Sequence, residues 1–211
     1  GTPSFDPDRN SANFTWGSGT EGGGSSSRRG GLWTYFADQT LANDGDLVRL
    51  SFTAEWPVQA TGVGRAFRFG MFDNGGKTLE EDLSGTNSDS AFDDSVGYFA
   101  TINLESGGDG AGGSLLFSRT IGGNNPVSVQ DGSNISQVGF IDNPDLRAAN
   151  TPHNFSLEIL RNSPTEYQMT VSAGGGSATV TTTEITADKF NSFHLLNTPF
   201  NSLDSITFSN F

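Results

Sequence analysis

A strict alternation of apolar and polar residues between Val48 and Trp56 is the feature that most constrains this chain. In the run DLVRLSFTAEW every second side chain is apolar: Val48, Leu50, Phe52, Ala54 and Trp56. A period of two residues is typical of a β-strand that packs one face and leaves the other face polar. Pro57 follows the run and ends it. The run therefore predicts an antiparallel strand with one buried face.

Similar runs recur along the chain, and no stretch shows the period of an amphipathic helix. The clearest are Arg65 to Asp73, Val96 to Leu104, NFSLEILR, YQMTVSA and SITFSNF. Counting every such run gives about ten or eleven strands, which predicts an all-β, two-sheet antiparallel sandwich. Residues 122–152 are polar with little periodicity, and residues 1–30 are predicted as an irregular segment packed on the sandwich, apart from a short strand holding Phe14 and Trp16. We expect a single domain over residues 1–211.

The charge balance excludes some classes of partner. The chain carries 24 acidic and 11 basic residues and a formal net charge of -13. Such a chain repels phosphate backbones, so nucleic acid is not an expected partner. No apolar run approaches the length of a membrane span, so membrane insertion is not expected either. Without cysteine there are no disulfides or thiolate metal sites. An acidic surface suits a secreted or cell-surface protein, which is the predicted location.

The order of the strand patterns resembles a known family. The patterns are WTYFADQTL, LVRLSFTAEW, RFGMFDNGG, GYFATINL, HNFSLEILR with YQMTVSAGGGS, and SITFSNF. Together they resemble the jelly roll of the concanavalin A-like lectins and glucanases. The nearest type is the laminin-G-like domain of secreted bacterial proteins, including those with PEP-CTERM sorting tags. The resemblance implies curved sheets, polysaccharide or glycan binding on a sheet face, and often a structural Ca²⁺.

The polar sides of the predicted strands supply candidates for ligand contact. Sugar sites combine an aromatic platform with planar hydrogen-bonding groups, and both kinds occur opposite the apolar stripes. The predicted ligand-binding residues are Arg49, Arg68, Phe99, Thr101, Asn103 and His194. Trp16, Trp33 and Tyr35 are alternative platforms. The competing interpretation is an ordinary solvated sheet face.

An acidic loop between two of the strands supplies candidates for a metal. Hard cations take six or more oxygen ligands from carboxylates and carbonyls. The predicted calcium ligands are Asp73, Asp82, Asp93 and Asp94, and Lys77 is the one basic residue of that loop. A second possible set joins Asp6 or Asp8 with Asp204 near the two chain ends. A solvated acidic loop without metal is the alternative.

Enzyme chemistry finds weaker support in the sequence. The E-x-D-x-x-E strand of the glucanases, which holds two carboxylates across a glycosidic bond, does not occur. A polysaccharide lyase would need Tyr or His as base and acid, with Arg to neutralise a uronate. Arg65, Arg68, Tyr98, His153 and His194 are the residues available for that role, but the alginate-lyase patterns of the fold are missing, so no catalytic residue is assigned. The predicted function is a non-catalytic carbohydrate-binding module. A self-assembling adhesive protein and an atypical lyase are the alternatives.

Overall fold

A computed structural model shows an all-β protein, and it describes residues 4–6, 11–15, 30–57, 65–77, 94–104, 114–119, 135–142, 144–184, 187–197 and 205–211. Within these ranges the chain forms thirteen strands and no helix. The strands are β1 (Ser4–Asp6), β2 (Ser11–Thr15), β3 (Gly30–Thr40), β4 (Leu47–Glu55), β5 (Arg65–Asp73), β6 (Val96–Asn103), β7 (Ser114–Arg119), β8 (Ile135–Ile141), β9 (His153–Ser163), β10 (Glu166–Ala173), β11 (Gly176–Thr182), β12 (Lys189–Asn197) and β13 (Ser205–Ser209).

The strands form two antiparallel sheets. One sheet has seven strands in the order β1-β2-β13-β4-β9-β10-β11, and the other has six in the order β3-β12-β5-β6-β7-β8. Neighbours in the seven-stranded sheet often come from distant parts of the sequence, as when β13 lies between β2 and β4. The predicted fold class, a two-sheet antiparallel sandwich of the jelly-roll type, is confirmed.

The main core lies between the two sheets and is rich in aromatic rings. The alternation in β4 has the predicted consequence from Val48 onward, because the apolar stripe is buried and the polar side chains between its members point outward. Phe52 stacks on Phe155 of β9 with ring centroids 5.5 Å apart. It meets Phe69 of the opposite sheet edge to face at 5.0 Å. Such contacts between large rings stabilise a core beyond the area they bury.

Two parts of the strand prediction differ from the structure. The polar segment 122–152 contains β8, whose run ISQVGFI forms an edge of the six-stranded sheet. The N-terminal region contains β1 and β2, which extend the seven-stranded sheet beyond β13. Phe14 lies in β2 as predicted, and Trp16 is outside the described residues.

The part of the chain that the structure describes contains no helix with the length and apolarity needed to cross a membrane.

Candidate functional site

The structure separates the six predicted ligand-binding residues. Arg49 lies on the outer face of the seven-stranded sheet, with its side chain 58% exposed. The other five lie on the six-stranded sheet, where Arg68 is partly buried. Phe99 and Thr101 are fully buried, Asn103 is 4% exposed and His194 is 1% exposed. The prediction that these last four line an accessible polar face is wrong.

A second apolar cluster accounts for the burial of Phe99 and His194. Phe72, Phe99 and Leu196 pack together on the side of the six-stranded sheet that faces away from the main core, with Ile135 against them. The His194 ring lies 4.9 Å from the Phe72 ring, centroid to centroid, and so belongs to the same layer. The six-stranded sheet is therefore buried on both faces at these positions, although its sequence alternates like that of a half-exposed strand.

The aspartates predicted to bind calcium are paired with lysines where the structure describes them. Asp73 lies 3.4 Å from the ammonium of Lys189, and Asp38 lies 3.6 Å from the same group. The charge of Asp73, with a smaller contribution from Asp38, raises the pKa of Lys189. Asp94 pairs with Lys77 at 2.6 Å.

The remaining predicted metal ligands, Asp82 and Asp93, lie outside the described residues. Asp8 and Asp204 of the second set also lie outside them. Among the described residues no group of three or more metal-binding side chains occurs. The calcium site stays a prediction.

Three of the residues considered for lyase chemistry, Tyr98, His153 and His194, do not converge. The Tyr98 side chain is buried between the sheets, and its hydroxyl donates to the carbonyl of Glu184 at 3.1 Å. His194 lies on the opposite side of the same sheet, in the second apolar cluster. His153 is 8% exposed and stacks on Trp56. Burial lowers the pKa of His153, which a backbone hydrogen bond with Leu146 partly offsets.

An accessible polar surface lies instead on the outer face of the seven-stranded sheet. Because the inward residues of β4, β9 and β10 form the core, every other residue of these strands faces out. The registers place four serines side by side across four strands: Ser51, Ser156, Ser172 and Ser177. Neighbouring strands lie about 4.8 Å apart, so this row spaces its hydroxyls at roughly that interval.

A shallow open groove of about 640 Å³ crosses this face over β4, β9 and β10. Its polar lining consists of one ion pair and neutral hydroxyl and amide groups, and Phe52 and Phe155, whose rings point into the core, are also among the lining residues. The lining residues are Arg49, Ser51, Phe52, Thr53, Asn154, Phe155, Ser156, Glu158, Ser172, Gly175 and Asn210.

Two sets of contacts fix the walls of the groove. Arg49 and Glu158 are register partners, and the Nε and Nη2 atoms of Arg49 both donate to Glu158 Oε1, with Nε at 2.8 Å. On the other side, Thr53 donates to Asn154 Oδ1 at 3.0 Å and accepts from Asn210 Nδ2 at 3.3 Å. These contacts hold long side chains in defined orientations across three strands.

The serines between these walls keep their hydrogen-bonding capacity for a ligand. Ser51, Ser156 and Ser172 line the groove, and within the described residues their hydroxyls bond to no other protein group. A hydroxyl can donate one hydrogen bond and accept two. The groove thus offers donors and acceptors at close, regular spacing, and its described lining includes no acid–base or nucleophilic constellation.

Sequence reasoning placed two residues of this groove, Arg49 and Thr53, on the polar face of their strand, and it missed the others. The polar sides of β4, β9 and β10 were visible in the alternation. What was not visible is that β4 and β9, about a hundred residues apart, lie next to each other.

Comparisons with known proteins find similarity to solved structures only. No protein-family model matches it, and no curated protein matches it. Among solved structures it is similar to the metal-free form of the Emp46p carbohydrate recognition domain, at 10% identity and a TM-score of 0.49, over 95% of this chain and 82% of that one.

Two further structures are similar at the same low identity. A legume lectin-like domain from Entamoeba histolytica has 10% identity and a TM-score of 0.41, over 86% of each chain. The alginate lyase vAL-1 from Chlorella virus has 10% identity and a TM-score of 0.45, over 80% of this chain and 71% of that one. Similarity at this level concerns the course of the chain and not the ligand.

Proposed function

We propose that this chain is a carbohydrate-binding domain that holds a polysaccharide or glycan strand in the groove on the seven-stranded sheet. The observation that carries the proposal is the row of outward-facing serines, Ser51, Ser156 and Ser172, between two hydrogen-bonded walls. This site replaces the predicted one, of which Arg49 is retained.

The chemistry of the groove matches a sugar strand. Each sugar hydroxyl donates and accepts, and so do the serine hydroxyls and the amide of Asn154. The guanidinium of Arg49 adds donors and the carboxylate of Glu158 adds acceptors, both already oriented by their mutual contact. Groups held in place before binding lose less freedom when the ligand arrives.

The shape of the groove favours a polymer over a small enclosed ligand. Its volume of about 640 Å³ is of the usual size for a ligand site. However, it is open along a sheet face, and three strands span only about 10 Å. A chain of sugar units can lie across such a surface and continue beyond it at both ends.

Affinity electrophoresis in gels containing single polysaccharides tests the proposal. We expect at least one polysaccharide to retard the native protein. Asn154→Ala, which removes an amide from the groove wall, should weaken that retardation by about tenfold in Kd, the effect of one or two hydrogen bonds. Asn162→Ala is the matched control, since Asn162 is an exposed asparagine on the same strand and the same face but outside the groove.

The outcome that contradicts the proposal is equally direct. If no polysaccharide of a broad panel retards the wild-type protein, with or without added Ca²⁺, carbohydrate binding by this chain is wrong. If Asn162→Ala weakens binding as much as Asn154→Ala does, the groove is not the site.

The proposal includes a location outside the cell. There the chain would be a module of a larger surface or polysaccharide-processing protein. Extended polysaccharides are met there, and an acidic net charge of -13 keeps an exposed domain soluble. Fractionation of the source cells with an antibody against this chain checks the location, and recovery in the cytosol alone would contradict it.

A second candidate function, self-association, is favoured by one side of the sandwich. The edge strand β11 has no charged residue, and neither has β8, the edge strand of the other sheet. The two edges are close together, because a Cβ on Gly139 would lie 2.5 Å from Val180. Phe140 on the same side is 46% exposed. Natural sheets usually protect such edges with charge, so a second copy of this chain is the partner we propose here.

Sedimentation velocity over a hundredfold concentration range tests this second candidate. We expect the sedimentation coefficient to rise with concentration for the wild type and to stay constant for Phe140→Lys, which places a charge at the uncharged edge. A wild-type protein that remains a monomer throughout would contradict it.

A further inference from the structure

We infer that the groove selects uncharged glycans, and that Glu158 sets this preference by engaging the arginine beside it. The inference rests on the proposed function and concerns the class of ligand that the same site accepts. It does not follow from the sequence, where Arg49 and Glu158 are 109 residues apart.

The first argument is the charge inventory of the groove. Among the described residues that line it, Arg49 is the one cation and Glu158 the one anion. All the other polar lining groups are hydroxyls and amides. An acidic sugar unit, such as a uronate or a sulfate ester, needs a cation to replace its lost hydration. Arg49 is the lining residue that can supply one.

The second argument is how Arg49 is held. Its Nε and Nη2 atoms both donate to the same carboxylate oxygen of Glu158, and the two residues face each other across β4 and β9. Glu158 is the less exposed of the two, with its side chain 24% exposed against 58% for Arg49. A ligand carboxylate that approached this guanidinium would therefore come close to a second carboxylate held in place, and like charges at short range repel.

The third argument is the field of the whole chain. With a net charge of -13, the protein repels a polyanion before contact, and the described lining of the groove holds no unbalanced positive charge to reverse that effect. A neutral strand feels no such repulsion. To a neutral sugar, the Arg49–Glu158 pair is useful as it stands, because it offers oriented donors and acceptors next to the serine row.

Affinity electrophoresis with defined polymers tests the inference. The neutral probes are a mixed-linkage β-glucan, a galactomannan, a xylan and a dextran, and the anionic probes are alginate, polygalacturonate and a sulfated galactan. We expect wild-type protein to be retarded by at least one neutral polymer and by none of the anionic ones, in buffer of low ionic strength.

The decisive variant is Glu158→Gln, which keeps the shape of the side chain and releases the charge of Arg49. We expect it to gain binding to at least one anionic polymer, by about tenfold or more over the wild type, as one charge-assisted contact would give. That gain should decrease as salt is added. In the double variant Arg49→Gln/Glu158→Gln the gain should vanish.

Glu166→Gln is the matched control. Glu166 is a partly exposed glutamate on the same sheet, at the hairpin end of β10, where it accepts from Asn162 and does not line the groove. It changes the net charge of the chain by the same amount without touching Arg49. If it gains anionic binding as Glu158→Gln does, the effect is one of total charge and the inference is overturned.

The remaining outcomes separate this inference from the proposed function. Retardation of the wild type by an anionic polymer overturns the selectivity and leaves carbohydrate binding in place. Wild-type binding to a neutral polymer with no anionic gain in a folded Glu158→Gln protein overturns the role of Glu158. The absence of binding to every polymer contradicts the proposed function itself. Thermal melting of each variant shows which of them are folded.

Discussion

Trp56 and His153 stack against each other at the end of the main core, with ring centroids 4.9 Å apart and ring planes inclined by 23°. The contact joins the residue after β4 to the first residue of β9. It also ties down the segment that precedes β9, because the backbone nitrogen of Asn150 donates to the carbonyl of Trp56 at 2.8 Å. A titratable ring thus forms part of the packing that holds the loop 144–150 on the sandwich.

This arrangement predicts a stability that falls in mild acid. Burial lowers the pKa of His153 below 6.5, the ordinary value for a histidine. Below pH 6.5 the unfolded chain therefore binds a proton that the folded chain resists, and the free energy of unfolding decreases as the pH falls. The contribution of His153 is complete above pH 6.5 and is lost progressively below it.

Urea unfolding between pH 7.5 and pH 5.5 measures this effect. In His153→Gln, which cannot titrate in that range, the free energy of unfolding should depend less steeply on pH than in the wild type. Equal slopes for the two proteins would show that His153 does not carry the dependence.

The main core on the inner face of β9 predicts a large cost for one substitution. Phe155 is 2% exposed and contacts Phe52 and Phe69 in the main core. Phe155→Ala should lower the free energy of unfolding by about 3–5 kcal/mol, because it removes buried area and leaves a cavity. Leu47→Ala is the control, since Leu47 is 51% exposed and should lose less than about 0.5 kcal/mol. Urea midpoints compare them, and similar losses would contradict the burial of Phe155.

We expect substitution of the two lysine-paired aspartates, Asp73 and Asp94, to lower the stability of the fold by different amounts. Asp73 is 22% exposed and shares Lys189 with Asp38, while Asp94 is 45% exposed and pairs with Lys77 alone. Asp73→Asn should therefore lower the urea midpoint more than Asp94→Asn does, because exposed pairs contribute little. The reverse order would show that the Lys189 contacts do not stabilise the fold.

The same variants check the predicted calcium site. A cation bound only by the folded protein raises the melting temperature in Ca²⁺ relative to EDTA. Because Lys189 already balances Asp73, we expect any such shift to persist in Asp73→Asn. A shift that disappears in this variant would make Asp73 a ligand, and the absence of any shift in the wild type would contradict the site as a whole.

The positions of individual strands could be predicted well from the sequence, but which strands pair with each other in the sheets could not. The bounds of β5 were found to the residue, and β4 and β6 to within one, because alternation is a local property of a pleated strand. The strand β8 was missed because its run lies in a polar segment and its apolar residues do not recur with a period of two: Ile135, Val138, Phe140 and Ile141.

The predicted site failed on β6 for a related physical reason. Alternation distinguishes the more apolar face of a strand from the less apolar one, but it does not show whether the second face meets water. On β6 Thr101 and Asn103 occupy that second face, and both are buried. The residues that neighbour Arg49 could not be predicted for another reason. The pairing between β4 and β9 depends on the topology of the whole sheet.

A substitution at the centre of the serine row predicts loss of binding without loss of stability. Ser156 lies between Ser51 and Ser172 in the register and faces outward from β9, so a larger side chain there fills the groove and leaves the core untouched. Ser156→Leu should weaken polysaccharide binding by at least about tenfold, since it removes a hydroxyl and blocks the approach to its neighbours. Its free energy of unfolding should stay within about 0.5 kcal/mol of the wild type.

Gln168→Leu is the control for Ser156→Leu, because Gln168 faces the same way from β10 but does not line the groove. Affinity electrophoresis and urea unfolding on the three proteins measure both quantities. Binding that survives in Ser156→Leu, or that is lost equally in Gln168→Leu, would place the ligand elsewhere. If only Ser156→Leu loses binding and its stability is retained, Ser156 contacts the ligand and does not support the fold. The two effects can be separated because the outer face of β9 lines the groove and its inner face packs in the core.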